Sequence, residues 1–527
     1  MARPPLKQAV CDPGFTPSVR DIGPLVDLLA DDELAKHAER AIARASVAAL
    51  EMLRARFYPS SPPLRSRILR AIARLAQHEP ALTVLMGALS DSDAKTRRNA
   101  AIALGHARGP GVEEALLRAW NDDPRPEMRR SIAASLGKTG TARSLALLQE
   151  ASRDDDAELS RIAKRAAIMI YRTESRPQRG RIDPQRIAEQ PVDVEAFARH
   201  GIEGLVAEEL ALAQGIDEVR IVAPGRVRAR LTGPMSALFV ARTMLFFRFP
   251  LATESLQEGE RVECAVARVV ASSEAQRILS TWTVGAVRYR IAWVGGGHKR
   301  ALSWDTAAAI ARRLPALVND PSASLWELGV AATPRFVDVA IAPREVDDPR
   351  FPWRRRDVPA ASHPTIAAAL ARVAGVQPND VVWDPFVGSA AELIERSLAG
   401  PYSRLLGTDV DARALAAARE NLRAAGAAAT LEQIDALEHA PTGVTLVITN
   451  PPMGRRASRV PQLTDMLDRF IGHAASVLVP GGRLVWMAPN PTRARAAAAR
   501  AGLTLAKAHR VDMGGFDAEL QRWDKNA

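Results

Sequence analysis

Four stretches in the last third of the chain carry side chains suited to chemistry. In Leu446-Val-Ile-Thr-Asn-Pro-Pro-Met-Gly454 the apolar run Val444 to Ile448 stops at Thr449-Asn450-Pro451-Pro452. This pattern predicts a buried strand ending in a rigid polar turn. The two prolines fix φ at successive residues and remove two N–H donors. The Asn450 amide and the Pro451 carbonyl can then sit at fixed positions and accept both hydrogen bonds of a planar amine. The same residues also suit an ordinary strand-ending Asn-Pro turn. The other three stretches carry acids. Asp384 ends an apolar strand and precedes a turn at Gly388, Asp409 and Asp411 end the strand Leu405–Asp411, and Asp435 follows Thr430–Ile434.

These residues need elements to hold them. Helices are expected over Ser362–Arg372, Ala390–Leu398, Ala412–Ala425, Leu463–Leu478 and Pro491–Ala501, alternating with the strands and with Arg483–Ala488, Thr504–Arg510 and Glu519–Trp523. Such alternation implies a doubly wound α/β sheet whose ligand lies at the strand C-termini. No Gly-Lys-Ser/Thr follows the Gly388 turn, which excludes a P-loop, and Gly-x-Gly-x-x-Gly is absent after Val382. Asp409 is placed to accept from a ribose diol and Asp435 to receive an adenine amine. The favoured ligand is an adenosine cofactor without a pyrophosphate.

Asp384-Pro-Phe-Val-Gly-Ser389, Gly407-Thr-Asp-Val-Asp411 and Asn450-Pro-Pro, in that order, resemble class I S-adenosylmethionine-dependent methyltransferases. More narrowly they resemble the THUMP-associated RNA guanine-N2 methyltransferases, over Ser362 to about Trp523. The resemblance implies cofactor binding by Asp384, Pro385, Phe386, Gly388, Ser389, Asp409, Asp411 and Asp435. It implies an amine-holding site at Asn450, Pro451, Pro452 and Met453, with no metal. Transfer would be an in-line displacement helped mainly by positioning. Two residues depart from the family pattern. Ala390 stands where a glycine is usual, and is tolerated if its φ is negative. Met453 stands where an aromatic ring usually stacks the target base, and a thioether packs there less firmly. Arg455, Arg456 and Arg459 follow, placed for substrate phosphate or simply as surface charge.

Upstream, Gly201–Ala213 reads as a helix, and Val219–Ala223 with Arg226–Leu231 as a hairpin around Pro224-Gly225. A helix near Pro234–Arg242 and a strand over Met244–Phe249 follow. Ala265–Ser280 is mixed, Ala286–Trp293 alternates, Ala307–Val318 is helical and Phe336–Ala342 alternates again. Arg288 and Arg290 share a strand face, and Lys299 and Arg300 close a glycine loop. These groups suit RNA backbone, or an ordinary basic hairpin. The region loosely resembles the THUMP-containing module of the same enzymes, chiefly by its place before the catalytic domain. Trp353-Arg-Arg-Arg356 in the connector could stack a base, or anchor a linker by a buried Trp.

The first third repeats itself. Arg98-Asn-Ala-Ala-Ile-Ala-Leu-Gly105 recurs as Arg130-Ser-Ile-Ala-Ala-Ser-Leu-Gly137, with Asp-rich turns between copies. Stacked helix pairs in a solenoid follow, resembling short HEAT repeats. Such an array is a binding surface for RNA or protein, or packs on the rest of the chain. The expected division is HEAT-like repeats over 1–174, a linker over 175–190, a THUMP-like α+β RNA-binding module over 191–345 and a class I Rossmann-like methyltransferase domain over 346–527.

A chain of 527 residues exceeds one core. Its net charge of +11 and pI near 10.2 favour an anionic partner, nucleic acid first, unless the arginines merely coat the surface. Cys11 and Cys264 form no CxxC pair, no signal-peptide or membrane-span pattern occurs, and a reducing cytoplasm fits. The expectation is an S-adenosylmethionine-dependent methyltransferase acting on an exocyclic amine, guanine N2, of structured tRNA or rRNA. The alternatives are a non-catalytic HEAT scaffold with a degenerate methyltransferase fold, and a protein or DNA amino-methyltransferase.

Overall fold

The computed structural model describes residues 5–526 except 46–47, 77, 175–179, 296–298, 360 and 454–459. Every described element from Leu6 to Glu174 is helical. The repeat seen in the sequence has a packing cause. A Cβ on Gly105 would lie 2.6 Å from Ser135 Oγ, and one on Gly137 would lie 2.7 Å from Ala166 Cα. Both glycines therefore sit where the equivalent helices of successive repeats approach backbone to backbone. The Asp-rich turns form a ladder with the arginines of the preceding repeat. Arg65 meets Asp91 at 3.3 Å, Arg97 meets Asp123 at 3.0 Å, and Arg130 meets Asp156 at 2.8 Å. Asp93 caps the helix Ala94–Leu104 through the Thr96 N–H at 2.8 Å. The last helix, Ala157–Glu174, docks on the middle of the chain. Arg172 donates from Nε to the Asn319 carbonyl at 2.6 Å and lies over the Trp304 ring at 5.1 Å.

The middle begins with β1 (Val192–Phe197), α1 (Glu203–Ala211), β2 (Ile216–Ala223), β3 (Arg226–Leu231) and β4 (Phe246–Pro250). They pair in the order β2-β3-β1-β4, all antiparallel. This is a ferredoxin-like arrangement in which the 3-10 helix Met235–Val240 replaces the second crossover helix. Two helices, α2 (Val262–Val270) and α3 (Ser273–Trp282), occupy the stretch that was ambiguous in sequence. Then come β5 (Arg288–Trp293), α4 (Arg300–Arg313), β6 (Trp326–Ala332) and β7 (Phe336–Pro343), which extend the same sheet as β4-β7-β6-β5. Phe249 stacks on Trp282 at 4.9 Å in the core beneath it. The sequence reading missed β1 and β6, both inner strands: β1 buries three successive residues, Val194-Glu-Ala196, and β6 alternates in burial but carries Gly329 and Ala331 at less buried positions.

Two expected RNA contacts in this region do not hold. Arg288 is 3% exposed and paired with the fully buried Asp320 at 3.1 Å. Arg290 donates from Nε to its cross-strand neighbour Glu327 at 2.6 Å. Neither is a free cation on a shared face. Trp353 is buried and donates from Nε1 to Glu395 at 3.1 Å, so it anchors the connector.

The last third holds α5 (Pro364–Ala374), β8 (Val381–Asp384), α6 (Ala391–Ala399), β9 (Arg404–Asp409), α7 (Ala412–Ala425), β10 (Thr430–Gln433) and β11 (Val444–Thr449). It continues with α8 (Val460–Val477), β12 (Leu478–Ala488), α9 (Pro491–Arg500), β13 (Leu503–Asp512) and β14 (Asp517–Lys525). The sheet order is β10-β9-β8-β11-β12-β14-β13, parallel through β12 and antiparallel at β14. Strand order reverses between β8 and β11, so the crevice of this sheet opens where Asp384 and Asn450 lie. Pro480-Gly-Gly482 falls inside β12, at a register shift, so this strand begins earlier than the expected Arg483. Buried Asp380 clamps the far end of the sheet to Arg396 at 2.6 Å and Arg483 at 2.8 Å, and those bonds hold its carboxyl down at about 2. Among the described residues no helix is long and apolar enough to cross a membrane.

The aspartate ladder is open to test. Asp123 is 7% exposed and receives both Arg97 and Arg125. Asp123→Ala should destabilise the array by about 1–3 kcal/mol, because two half-buried guanidinium groups lose their acceptor. Faster amide hydrogen exchange in Ala94–Leu104 and Pro126–Thr139 is the expected reading; unchanged exchange would show that the ladder adds nothing.

Candidate active site

Parallel pairing of β8 with β11 puts their C-terminal residues together. The Thr449 hydroxyl, at the end of β11, donates to Asp384 Oδ1 at 2.7 Å, and the Phe386 N–H donates to the same oxygen at 3.1 Å. Asp384 is fully buried, and its Oδ2 has no hydrogen-bond partner among the described residues. Burial first, then the neighbouring Glu392 carboxylate, raises the Asp384 pKa well above the usual carboxylate range.

One residue beyond Thr449, the Asn450 amide Nδ2 donates to Ser362 Oγ at 2.7 Å. The Ser362 hydroxyl donates in turn to Glu392 Oε1. A serine hydroxyl carries one proton. With that proton on Glu392, only the NH2 side of Asn450 can face Ser362. Asn450 Oδ1 is therefore turned the other way, buried and without a partner among the described residues. An unsatisfied buried acceptor of this kind costs about 1–3 kcal/mol and marks a place where a donor is awaited.

These groups stand at a cavity of about 750 Å³. Its wall includes Pro385, Phe386, Gly388, Ser389, Asp409, Asp411, Asp435, Asn450, Pro451, Pro452 and Met453. Of the site residues expected from sequence, all but Asp384 lie on this wall; Asp384 sits buried behind it. Asp409 is held by two backbone donors, Gly388 N–H at 3.0 Å on Oδ2 and Asp411 N–H at 2.9 Å on Oδ1. A carboxylate accepts about four hydrogen bonds, so both oxygens keep acceptor capacity toward the cavity. Asp411 is largely used elsewhere. It caps α7 through the Arg413 N–H at 2.9 Å and pairs with the Arg413 side chain, which lowers its pKa. Asp435 is exposed and accepts the Leu437 N–H at 2.8 Å. Met453 is half-buried and packs against the core. Arg455, Arg456 and Arg459 lie outside the described residues.

The sequence reading overlooked Ser362 and Glu392, both on the cavity wall, where Arg356 of the Trp353–Arg356 stretch also lies. Ser362 comes from the connector ahead of α5 and meets Glu392 only through the tertiary fold. Glu392 had a signal, a lone acid within Ala390-Ala-Glu-Leu-Ile394 at the head of α6. Ala390 corrects another expectation. Its φ is +66°, in the left-handed region, where a Cβ costs roughly 1–2 kcal/mol. Its methyl is fully buried in the core and is absent from the cavity wall, so it strains the turn without crowding the cavity.

Comparison with known proteins fits this geometry. Residues 352–519 match the RMKL-like methyltransferase domain, and residues 82–169 match HEAT repeats. A tRNA (guanine(6)-N2)-methyltransferase of Thermus thermophilus is 34% identical over 157 residues, covering 29% of this chain and 46% of that protein. A tRNA (guanine(10)-N2)-dimethyltransferase of Methanothermobacter thermautotrophicus is 34% identical over 136 residues, covering 25% and 40%. The chain thus spans less than half the length of these curated relatives. Among solved structures, TrmN from Thermus thermophilus has a TM-score of 0.51 at 24% identity and covers 64% of this chain and 100% of its own. SMU.472 complexed with SAH has a TM-score of 0.52 at 16% identity, covering 64% and 99%. At these identities the structures show a shared fold.

Two stability measurements probe the site. Ala390→Gly should stabilise the protein by about 1 kcal/mol by removing a left-handed Cβ; an unchanged melting temperature would place no strain there. The pKa of Glu392 is raised from 4.5 to about 7, chiefly by burial. A carboxyl raised on folding contributes stability that is full below the unfolded value and is lost as pH rises through the folded one. Stability should therefore fall between about pH 4.5 and 7 on account of this group. Glu392→Gln should flatten that fall and leave the variant more stable than wild type at pH 8, by about 1–3 kcal/mol at about 1.4 kcal/mol per unit of pKa.

Proposed function

We propose that the chain is an S-adenosylmethionine-dependent methyltransferase that acts on an exocyclic amine, guanine N2, of structured RNA such as tRNA or rRNA. The observation that carries this reading is Asn450 Oδ1, a buried acceptor left without a partner among the described residues at the switch point of the sheet. It fits an N–H of the target amine, with the Pro451 carbonyl as second acceptor. The guanine-N2 activity named for the two similar tRNA methyltransferases supports the choice of atom and substrate.

The residues present suit the cofactor. The cavity is large enough for a nucleoside with an amino-acid arm. Asp409 offers acceptors for a ribose diol, Asp435 offers an acceptor for an adenine amine, and Phe386 and Gly388 line the same cavity. The buried Asp384 and Glu392 carboxyls, which burial disfavours in the charged form, would be stabilised as carboxylates by a cationic ligand. When bound, S-adenosylmethionine supplies an electrophilic methyl on a sulfonium centre. The chain's own contribution is positioning: Ser362 and Glu392 fix the Asn450 amide, and the two prolines stiffen the turn that carries it. Such orientation replaces the entropy that two free reactants would lose on meeting. We further infer that 191–345 is a THUMP-like RNA-binding module, that 346–527 is the catalytic domain, and that the array of 1–174 is a surface for RNA or a protein.

Methylation of total RNA, read by mass spectrometry of nucleosides, tests the proposal. Asn450→Ala should lower the rate by about 10²-fold or more, in line with loss of a group that orients a reactant, while S-adenosylmethionine binding by calorimetry stays within about 2-fold. Absence of cofactor binding by the wild type would leave a non-catalytic scaffold. Methylation of protein or DNA but not RNA would reassign the substrate. Because the cofactor is cationic and favours ionised Glu392 and Asp384, its affinity should rise with pH from 6 to 8.

A further inference from the structure

The outer face of the β2-β3-β1-β4 sheet carries an ordered set of side chains fixed by register. Strand residues alternate between faces. β1 buries Val192, Val194 and Ala196, and β3 buries Val227, Ala229 and Leu231. Glu195 and Phe197 of β1 and Arg226 and Arg228 of β3 therefore point outward. Phe197 is opposite Arg226 on one side and Phe246 of β4 on the other. Glu195 is opposite Arg228 and Arg248, and Arg228 is opposite Arg220 of β2. One row across the strands thus reads Arg226, Phe197, Phe246. The adjacent row reads Arg220, Arg228, Glu195, Arg248.

The two rings are stacked, 4.5 Å apart and 8° from parallel, and Phe246 remains 52% exposed. The Arg248 guanidinium lies over the Phe197 ring at 4.7 Å. Glu195 is 2% exposed and takes Arg248 Nε at 2.8 Å, Arg226 at 3.4 Å and Arg228 at 4.0 Å. A single buried carboxylate thus aligns three guanidinium groups beside the ring pair, and Arg220 adds a fourth. The excess charge is positive, and the arginines have lost much of their side-chain freedom before any ligand arrives.

A flat exposed ring beside aligned cations matches a nucleobase attached to phosphates. Every base has a π-face, and stacking on an aromatic side chain holds it without reading its sequence. Guanidinium groups donate to phosphate oxygens in the same approach. We propose that this face binds a single-stranded segment of the RNA substrate, with a base on Phe246 and the backbone along Arg220, Arg226 and Arg228. The proposal rests on the RNA reading above and names the surface that would deliver the substrate.

The face is tied to the catalytic sheet. Just past Phe197, the Asp512 N–H of β13 donates to the His200 carbonyl at 3.1 Å. Gly201, at φ +98°, packs against β13 so closely that a Cβ would fall 1.6 Å from the Arg510 carbonyl oxygen. Just before Phe246, Arg242 pairs with Glu395 of α6 at 2.7 Å, one turn from Glu392 on the cavity wall. RNA held on the face would be held at a fixed offset from the crevice.

The test uses the full chain and fluorescence anisotropy with a labelled oligouridylate of about ten nucleotides and a blunt RNA duplex. Phe246→Ala should weaken the oligouridylate about 10-fold and the duplex less than about 2-fold, and Phe246→Trp should restore or exceed wild-type binding. Arg220→Ala and Arg226→Ala should each lower the slope of log affinity against log salt by about 0.7. Equal oligouridylate binding by wild type and a folded Phe246→Ala variant would overturn the proposal. Preference for an acidic peptide over the oligouridylate would also overturn it, in favour of a protein partner. Methylation separates the two readings. If the wild type methylates RNA and Phe246→Ala does so with unchanged KM, this surface is wrong and the enzyme reading stands. If the wild type binds S-adenosylmethionine but neither binds nor methylates RNA, both fall.

Discussion

The site depends on one strand pairing. β8 and β11 lie side by side in parallel, with Val382 opposite Leu446 and Trp383 opposite Val447. That register brings Thr449 within hydrogen-bonding distance of Asp384 and leaves Asn450 as the first residue past the sheet. A slip of one residue would turn every side chain of β11 to the other face. It would remove the Thr449–Asp384 bond and bury or expose the wrong end of the Asn-Pro-Pro turn. The register is secured on both sides of the site by apolar packing and at the opposite end by Asp380, which Arg396, Arg483 and Thr445 all contact.

Around that pairing the electrostatics divide by task. Asp380 is saturated with cationic partners and its carboxyl is held ionised. Asp384 and Glu392 are buried together with few donors, and the Glu392 carboxylate adds to the cost of ionising Asp384. The difference is in the partners, since all three are carboxyls with little exposure. Asp380 therefore serves the fold, whereas the other two form an under-satisfied pair of the kind found where a ligand completes the balance. The Asn450–Ser362–Glu392 chain adds direction. It ties the orientation of an uncharged amide to the protonation of a buried acid.

The middle of the chain shows how readily arginine misleads. Arg288 and Arg290 alternate with apolar residues just as Arg226 and Arg228 do. The first two are matched one to one, by Asp320 and Glu327. Among the described residues, Arg226, Arg228 and Arg248 share Glu195 alone. What separates a structural cation from an available one is the count of acids that the neighbouring strands bring opposite it.

The sequence by itself determined most of the local structure and the order of the chemical groups. Strand-then-acid stretches, the Asn450 turn, the Gly105 and Gly137 repeat and the β2-β3 hairpin were legible because each is set by periodicity, proline or turn chemistry within about ten residues. It placed the expected site residues, apart from Asp384, on one cavity, since alternating strands and helices bring strand ends to one edge. Tertiary structure alone decided the rest. Ser362 and Glu392 meet Asn450 across long stretches of chain, β1 and β6 were recognisable only as partners in a sheet, and Trp353 was seen to be an anchor once Glu395 lay beside it. Ala390 takes a left-handed φ that its own residue type disfavours. Hydrogen-bond partners, burial and strain are properties of what surrounds a residue, and those surroundings come from distant parts of the chain.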